Sequence, residues 1–255
     1  MSLSRLIFPA LLASTLVTPA MSAGTESFSP AQRSEIETIV KSYLIAHPEV
    51  IEEVITELSN RQADDDAKKH EATLTDKADA IFKSPKDAVL GNKDGDVTMV
   101  EFFDYNCGYC KRAMRDMLTL LETDPKLKVV LKEFPVLGSG SIEAAQVAVA
   151  VHMQDPTGKK YLEFHQNLLG ARGASDKARA IAAAKDAGLD LVKLQKDMTS
   201  PEVMAVLKEN IKLAESLGMN GTPSYVVGKH IIGGAVGLEE LKEKISQSRC
   251  GKDSC

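Results

Sequence analysis

Between Val97 and Phe134 the sequence reads as strand, helix, strand, and this stretch limits the chain to an α/β architecture. Val97-Thr98-Met99-Val100-Glu101-Phe102-Phe103 is a nearly continuous apolar run, the pattern of a strand buried on both faces. Cys107 to about Thr123 reads as a helix, and Lys128-Val129-Val130-Leu131-Lys132-Glu133-Phe134 is again β-like. A shorter run, Ala88-Val89-Leu90, comes before, set off by the turn-forming Gly91-Asn92-Lys93-Asp94-Gly95. Gly138-Ser139-Gly140-Ser141 then opens an Ala-rich tract of several helices to Leu217, punctuated by Asp155-Pro156-Thr157-Gly158, Gly170 to Gly173, Gly188 and Ser200-Pro201. After Gly218, Ser224-Tyr225-Val226-Val227 and His230-Ile231-Ile232 form an expected hairpin around Gly228-Lys229, and Leu238 to about Ser246 an expected closing helix. An all-helical block thus interrupts an α/β domain.

The chain ahead of that domain has two parts. Arg5, the apolar Leu6-Ile7-Phe8-Pro9-Ala10-Leu11-Leu12-Ala13 and the small residues around Ala20 to Ala23 have the order of a secretory signal, and the apolar stretch is too short to span a bilayer. The expected organisation is a signal peptide over 1–23, a helical extension over 24–84, the α/β domain over 85–250 with its helical insertion at about 139–217, and a tail over 251–255. In the extension, Ser29-Pro30-Ala31-Gln32 is a helix-start signature. Ile36, Ile39, Val40, Tyr43 and Leu44 form one apolar stripe, His47-Pro48 interrupts it, and Val50, Ile51, Val54, Ile55 and Leu58 form a second, which runs into a charged segment reaching about Ala72. Such stripes must be covered, either by the parent domain or by copies of the same extension in a homo-oligomer; the sequence leaves both open.

With 255 residues, 44% of them hydrophobic and 26% charged, the chain has ample core for a globular protein, which excludes fibrous and disordered classes. A net charge of −5 without a concentrated Lys/Arg surface argues against a nucleic-acid partner. Export matters for the four cysteines, because disulfides persist in an oxidising compartment.

The chemistry is concentrated in Cys107-Gly108-Tyr109-Cys110. At a strand-to-helix junction the first sulfur meets the free N–H groups of a helix N-terminus, where an anion is favoured, so Cys107 is the candidate nucleophile. Cys110, one turn on, can attack a mixed disulfide and resolve it. A structural disulfide, half of a zinc site and two unrelated buried thiols are the competing readings of C-x-x-C by itself.

Phe102-Phe103-Asp104-Tyr105-Asn106-Cys107-Gly108-Tyr109-Cys110-Lys111, with Gly221-Thr222-Pro223 far downstream and the helical block between the two halves, resembles the DsbA family over roughly Ala88 to Gln247. The N-terminal extension is more similar to the branch of suppressor-of-copper-sensitivity protein C and Com1-like proteins. The resemblance implies a thioredoxin fold with an inserted helical subdomain, and an exported, periplasmic thiol-disulfide oxidoreductase, oxidase or isomerase. It implies no cofactor beyond a redox-active Cys107–Cys110 disulfide, and as partners client proteins and a membrane redox protein. It places Thr222 and Pro223, together with Gly108 and Tyr109, at the substrate, with Pro223 cis. On its own, Asn220-Gly221-Thr222-Pro223 is a turn in which the ordinary trans form is expected. Glu101, six residues before Cys107, corresponds to an acid that the family uses in proton movement; burial would raise its pKa and suit it to that task near Cys110, and an acid turned to solvent is the alternative. Glu133 raises the same question. The Gly108-Tyr109 pair departs from the Pro-His pair of strongly oxidising members and brings no imidazolium to the thiolate, so a less oxidising couple is expected.

Cys250 and Cys255 lie in a polar tail, where a small-loop disulfide is the expected state. No resident metal site is expected. A zinc site shared with Cys107 and Cys110 would occupy the nucleophile. Copper capture by these soft ligands defines the rival reading, a metal-binding or interaction protein on the same fold without turnover. His47, His70, His152, His165 and His230 show no paired ligand spacing, and most are read as surface or capping residues.

Overall fold

The computed structural model describes residues 28–155 and 157–255; the expected signal peptide lies outside the described residues. The chain divides into two compact units, one ending at Asn60 and one spanning Arg61–Cys255.

In the first unit, α1 (Pro30–Ala46) starts as its sequence dictates: Ser29 Oγ accepts from Gln32 N–H at 3.3 Å and Gln32 Oε1 accepts from Ser29 N–H at 2.9 Å, with Pro30 in the first turn. His47 closes the helix as its C-cap, and Pro48 separates it from α2 (Glu49–Asp76). No residue of α1 is buried, and Ile36, Ile39, Val40, Tyr43, Ile51, Val54, Ile55 and Leu58 are exposed. The unit has stripes but no interior of its own.

The second unit carries the sheet. The helix α2 runs a turn beyond Ala72, and α3 (Ala78–Phe82) follows it. The strands β1 (Ala88–Gly91), β2 (Val97–Phe103), β3 (Leu127–Glu133), β4 (Ser224–Val227) and β5 (His230–Gly233) pair in the order β1-β3-β2-β4-β5. The strand β2 is central, parallel to β3 and antiparallel to β4. The helix α4 (Gly108–Thr123) crosses between β2 and β3. Helices α5 (Ser139–Gln154), α6 (Lys159–Gly170), α7 (Lys177–Asp186), α8 (Leu191–Asp197) and α9 (Pro201–Ser216) form the insertion between β3 and β4, and α10 (Leu238–Cys250) closes the chain.

Strand alternation divides the core in two. Val97, Met99 and Phe103 of β2 join Cys110, Ala113, Met117 and Leu120 of α4 in the larger cluster. Val100 and Phe102 turn the other way, onto Leu74, Ile81, Leu213, Ala214 and Leu217. Each fully buried Phe contributes about 1.5–3 kcal/mol.

Three features add to what the local patterns indicate. Lys132, inside an apparently apolar strand, is fully buried; its ammonium ion-pairs with Asp87 and donates to Ala80 O at 2.9 Å, and Asn210 donates to the same Asp87 carboxylate at 3.2 Å. His165 is buried, not a surface or capping residue. The closing helix continues past Ser246 to Cys250, because Arg249 pairs with Asp96 and Asp124, each at 2.8 Å, and Gly251 ends the helix at φ +75°.

Candidate active site

Cys107 is the N-cap of α4, with extended backbone (φ −78°, ψ 115°), and its Sγ accepts from Cys110 N–H at 3.4 Å. A side-chain acceptor at the N-cap satisfies a free helix N–H, as Ser or Asp does elsewhere. The helix polarity favours negative charge on that sulfur. The Cys107 thiol donates to Thr222 O at 3.1 Å, which joins the dithiol to the turn before β4. The Thr222–Pro223 peptide is cis, as the family resemblance implied and contrary to the trans form expected of the turn by itself. Both sulfurs are free thiols; Cys107 is 5% exposed and Cys110 is fully enclosed.

Beside the sulfurs, Tyr109 is 59% exposed, and the Arg112 guanidinium lies 4.4 Å from its ring centroid. This contact gives the motif a cationic neighbour that its own four residues lack. A Cβ on Gly108 would meet nothing within 4 Å, so the motif is open to solvent at that point.

Period-2 alternation puts Glu101 on the same face of β2 as Met99 and Phe103, the face covered by α4. It is 3% exposed and opposite Tyr225 of β4, not turned to solvent. Burial, with a smaller contribution from Asp116, pushes its carboxyl up to about 8. Burial likewise pushes the Cys110 thiol up, with Glu101 adding to the effect. An acid that holds its proton near neutrality therefore shares a dry environment with the inner thiol.

Glu133 is also buried, but it serves a different cluster. It accepts from Tyr161 Oη at 2.8 Å and Tyr105 Oη at 3.4 Å, and the Tyr105 hydroxyl lies 3.3 Å from His165 Nδ1. Burial raises the Glu133 carboxyl and pulls the His165 imidazole down to about 3, so this histidine is neutral.

The segment leading into Cys107 carries polar contacts that the motif did not reveal. The Asp104 carboxylate accepts from Asn106 N–H and Ser141 Oγ, both at 2.7 Å, and from the N–H groups of Val136 at 2.8 Å and Leu137 at 3.0 Å. Its own carbonyl accepts from Cys107 N–H at 3.1 Å. One signal was local: Asp two residues before a polar residue at a helix start is an Asx-turn pattern.

Cys250 and Cys255 are joined, S–S 2.09 Å, at the far end of α10. Among the described residues no group of three or more His, Cys, Asp or Glu could hold a metal ion, and no helix is long and apolar enough to cross a membrane.

The family model of the DSBA-like thioredoxin domain matches residues 98–246, and that of the copper resistance protein ScsC N-terminal domain matches residues 32–64. A crystal structure of a thioredoxin-like oxidoreductase from Silicibacter pomeroyi is 43% identical, covers 67% of this chain and 96% of that one, and superposes with a TM-score of 0.63. Proteus mirabilis ScsC in a transitional conformation is 29% identical over 88% of this chain and 100% of that one, with a TM-score of 0.64. Among curated proteins, disulfide bond formation protein D of Bacillus subtilis is 24% identical over 190 residues, 68% of this chain and 83% of the relative. The chain spans about a quarter of the length of the first curated relatives it matches, Na(+)/H(+) antiporters NhaA, with 24% identity and 25% coverage for that of Salinispora arenicola. These likenesses carry the thioredoxin fold with its helical insertion and N-terminal helices.

Proposed function

This chain belongs to the family of the DSBA-like thioredoxin domain, and on that premise we propose that it is a thiol-disulfide oxidoreductase acting on client proteins outside the cytoplasm. The observation that carries the proposal is the placement of one sulfur at a helix N-cap, bonded to the turn before a strand, with a second, enclosed sulfur one turn behind it.

Cys107, as thiolate, attacks one sulfur of a client disulfide; the S–S bond breaks and the other client sulfur leaves as thiolate and takes up a proton. From the mixed disulfide two outcomes branch. Cys110 can attack Cys107 Sγ, which releases a reduced client and leaves the Cys107–Cys110 disulfide; the Cys110 proton passes to Glu101 in its ionised fraction, which grows as pH approaches 8. Alternatively a second client thiol attacks the client sulfur, which returns Cys107 as thiol and rearranges the client's pairing. Run backwards, the first branch donates a disulfide. No cofactor is needed, but net oxidation or reduction requires a partner that resets the pair, which we take to be a membrane redox protein. The backbone of Thr222 and Pro223 and the open edge at Gly108 and Tyr109 are the surfaces against which the client chain lies.

We further infer that α1 and the first half of α2 are covered by copies of the same segment, so the protein works as a homo-oligomer and favours isomerisation. The exposed apolar stripes support this reading, as does the match of residues 32–64 to the ScsC N-terminal model. The signal-like residues 1–23 support export to the periplasm. The metal-capturing alternative has less support, since two of the soft ligands it needs, Cys250 and Cys255, are spent on each other.

The deciding experiment incubates the full, reduced chain with a scrambled model protein, and the oxidised chain with a reduced one, beside light scattering of the sample. Recovery of the scrambled client by an oligomer, lost in Cys107→Ala, is expected. Undiminished exchange by Cys107→Ala sinks the enzymatic reading, and a strict monomer sinks the oligomer.

A further inference from the structure

The residues immediately flanking the C-x-x-C motif both reach the same short loop of the helical insertion. On one side, Asn106 uses its whole amide. Its Oδ1 accepts from Ser175 N–H at 2.7 Å, and its Nδ2 donates to Ser175 O at 2.9 Å and to Ser141 Oγ at 3.0 Å. The side chain thus pairs with the backbone of Ser175 as a neighbouring strand would, leaving none of its polar atoms unused. On the other side, Lys111 Nζ donates to Ala171 O at 2.8 Å. The five residues Ala171-Arg172-Gly173-Ala174-Ser175 lie between α6 and Asp176, the N-cap of α7, and are held at both ends by the dithiol's neighbours.

The loop's shape is fixed from within its own subdomain too. The Arg179 guanidinium donates to Arg172 O, and a Cβ at Gly173, where φ is +85°, would come within 3.1 Å of the same group. Gly140 at the start of α5 is needed for close approach, since a Cβ there would stand 3.0 Å from Ser175 O. Ser175 Oγ completes the contact by donating to Tyr105 O at 3.4 Å. Yet Arg172, Gly173 and Ala174 are exposed. A segment tied down this thoroughly at its ends, with its middle bare, beside a reactive sulfur, is a pre-formed wall.

We propose that Asn106 and Lys111 are positioning residues that clamp the 171–175 loop beside Cys107, and that this loop is a client-contacting wall which gives polypeptide substrates an advantage over small disulfides. The inference rests on the reading of the chain as an oxidoreductase of protein clients. A polypeptide in mixed disulfide with Cys107 extends beyond the sulfur and meets the wall, whereas glutathione is too short to depend on it. The clamp therefore controls selectivity, the ratio of the two rates.

The test measures rate constants of the full, reduced chain with oxidised glutathione and with a scrambled model protein, and takes their ratio. Asn106→Ala removes all three amide bonds and is expected to lower the client-to-glutathione ratio at least fivefold. Lys111→Met, which keeps the apolar stem, is expected to lower it about twofold, and Lys111→Arg, which still donates to Ala171 O, to restore it. If Asn106→Ala does not fold, the Met and Arg pair at position 111 carries the test. A ratio that stays at the wild-type value in Asn106→Ala and Lys111→Met, whether both rates hold or both fall together, overturns the proposal. A wild-type protein that exchanges with neither partner overturns the oxidoreductase reading instead.

Discussion

The two cysteine pairs sit at opposite kinds of helix end. Cys107 caps the N-terminus of α4, is buried, and has its partner inside the same first turn. Cys250 is the last residue of α10, its partner lies beyond the helix, and both are exposed. A helix N-terminus favours a thiolate and a C-terminus opposes it, so identical side chains are given opposite tendencies. The pairs are also kept apart. Arg249, next to Cys250, is anchored on Asp124, the C-cap of α4, and the 16 residues of that helix rise about 24 Å between the two ends. Direct exchange between the pairs is excluded by that distance, and helix polarity and burial determine which pair does chemistry.

The largest effect expected from this contrast is loss of all measurable exchange in Cys107→Ala, a drop of about a thousandfold or more, since no other sulfur reaches a client at that site. The double variant Cys250→Ala, Cys255→Ala is expected to keep the exchange rate within about twofold while losing up to about 2 kcal/mol of stability, the chain-entropy value for so short a loop. Stopped-flow exchange and urea denaturation of both variants measure this. Exchange that falls with the tail pair removed would break the contrast.

Burial supplies the second difference, through Glu101. Its carboxyl titrates near 8 in the folded chain against 4.5 as an ordinary carboxyl. The folded state therefore holds a proton that the unfolded chain has lost. The resulting destabilisation sets in above about pH 4.5, grows as pH rises and is complete above about pH 8. Glu101→Gln should remove it, making the protein more stable at pH 8 by on the order of a few kcal/mol and flattening the pH dependence of its denaturation midpoint. The same variant should slow release of client from the mixed disulfide about ten- to a hundredfold and abolish an inflection near pH 8 in that step. A release rate with unchanged pH dependence would show that Cys110 loses its proton elsewhere.

A third difference lies in how the reactive loop is held. Each Asp104 carboxylate oxygen accepts from one pair of donors, Oδ1 from Asn106 N–H and Ser141 Oγ, and Oδ2 from Val136 N–H and Leu137 N–H. Asparagine has one acceptor oxygen, so its amide group must face at least one backbone N–H it cannot satisfy. Asp104→Asn is expected to cost about 2 kcal/mol, read from the urea midpoint. An unchanged midpoint would mean that the loop is held by its backbone alone.

What was legible in the sequence follows the range of the forces involved. The strand before the motif, the helix after it and the capping box at Ser29 are local patterns, and all three are present. The inserted helices show the same thing on a larger scale, since breaks at Gly and Pro delimit each one. The burial of Lys132 and of His165 is not legible locally because their partners lie far along the chain, Asp87 at a separation of 45 residues and Tyr105 at 60. Asn106 is half legible: its place ahead of a helix is local, but its pairing with Ser175 spans 69 residues. The contact between Cys107 and Thr222, across 115 residues, was reached only through family resemblance.

The smallest effect concerns how strongly the first pair is poised. Tyr109 carries no charge, and a cation beside the motif's exposed edge is Arg112, stacked on the Tyr109 ring. Tyr109→His places an imidazole one residue from the N-terminus of α4, where its protonated form stabilises a thiolate on Cys107 and so the reduced state. It also removes the phenol ring beneath Arg112, which frees that guanidinium to turn toward solvent and offsets part of the gain. A net rise in reduction potential of roughly 30 mV, equivalent to about 1.4 kcal/mol for two electrons, is expected near pH 6, shrinking toward pH 8 as the imidazole loses its proton. Equilibration with glutathione at both pH values measures it. A rise that does not depend on pH would assign the effect to the lost Arg112 contact, and a fall would mean that the stacked arginine already supplies more stabilisation to the thiolate than a histidine can.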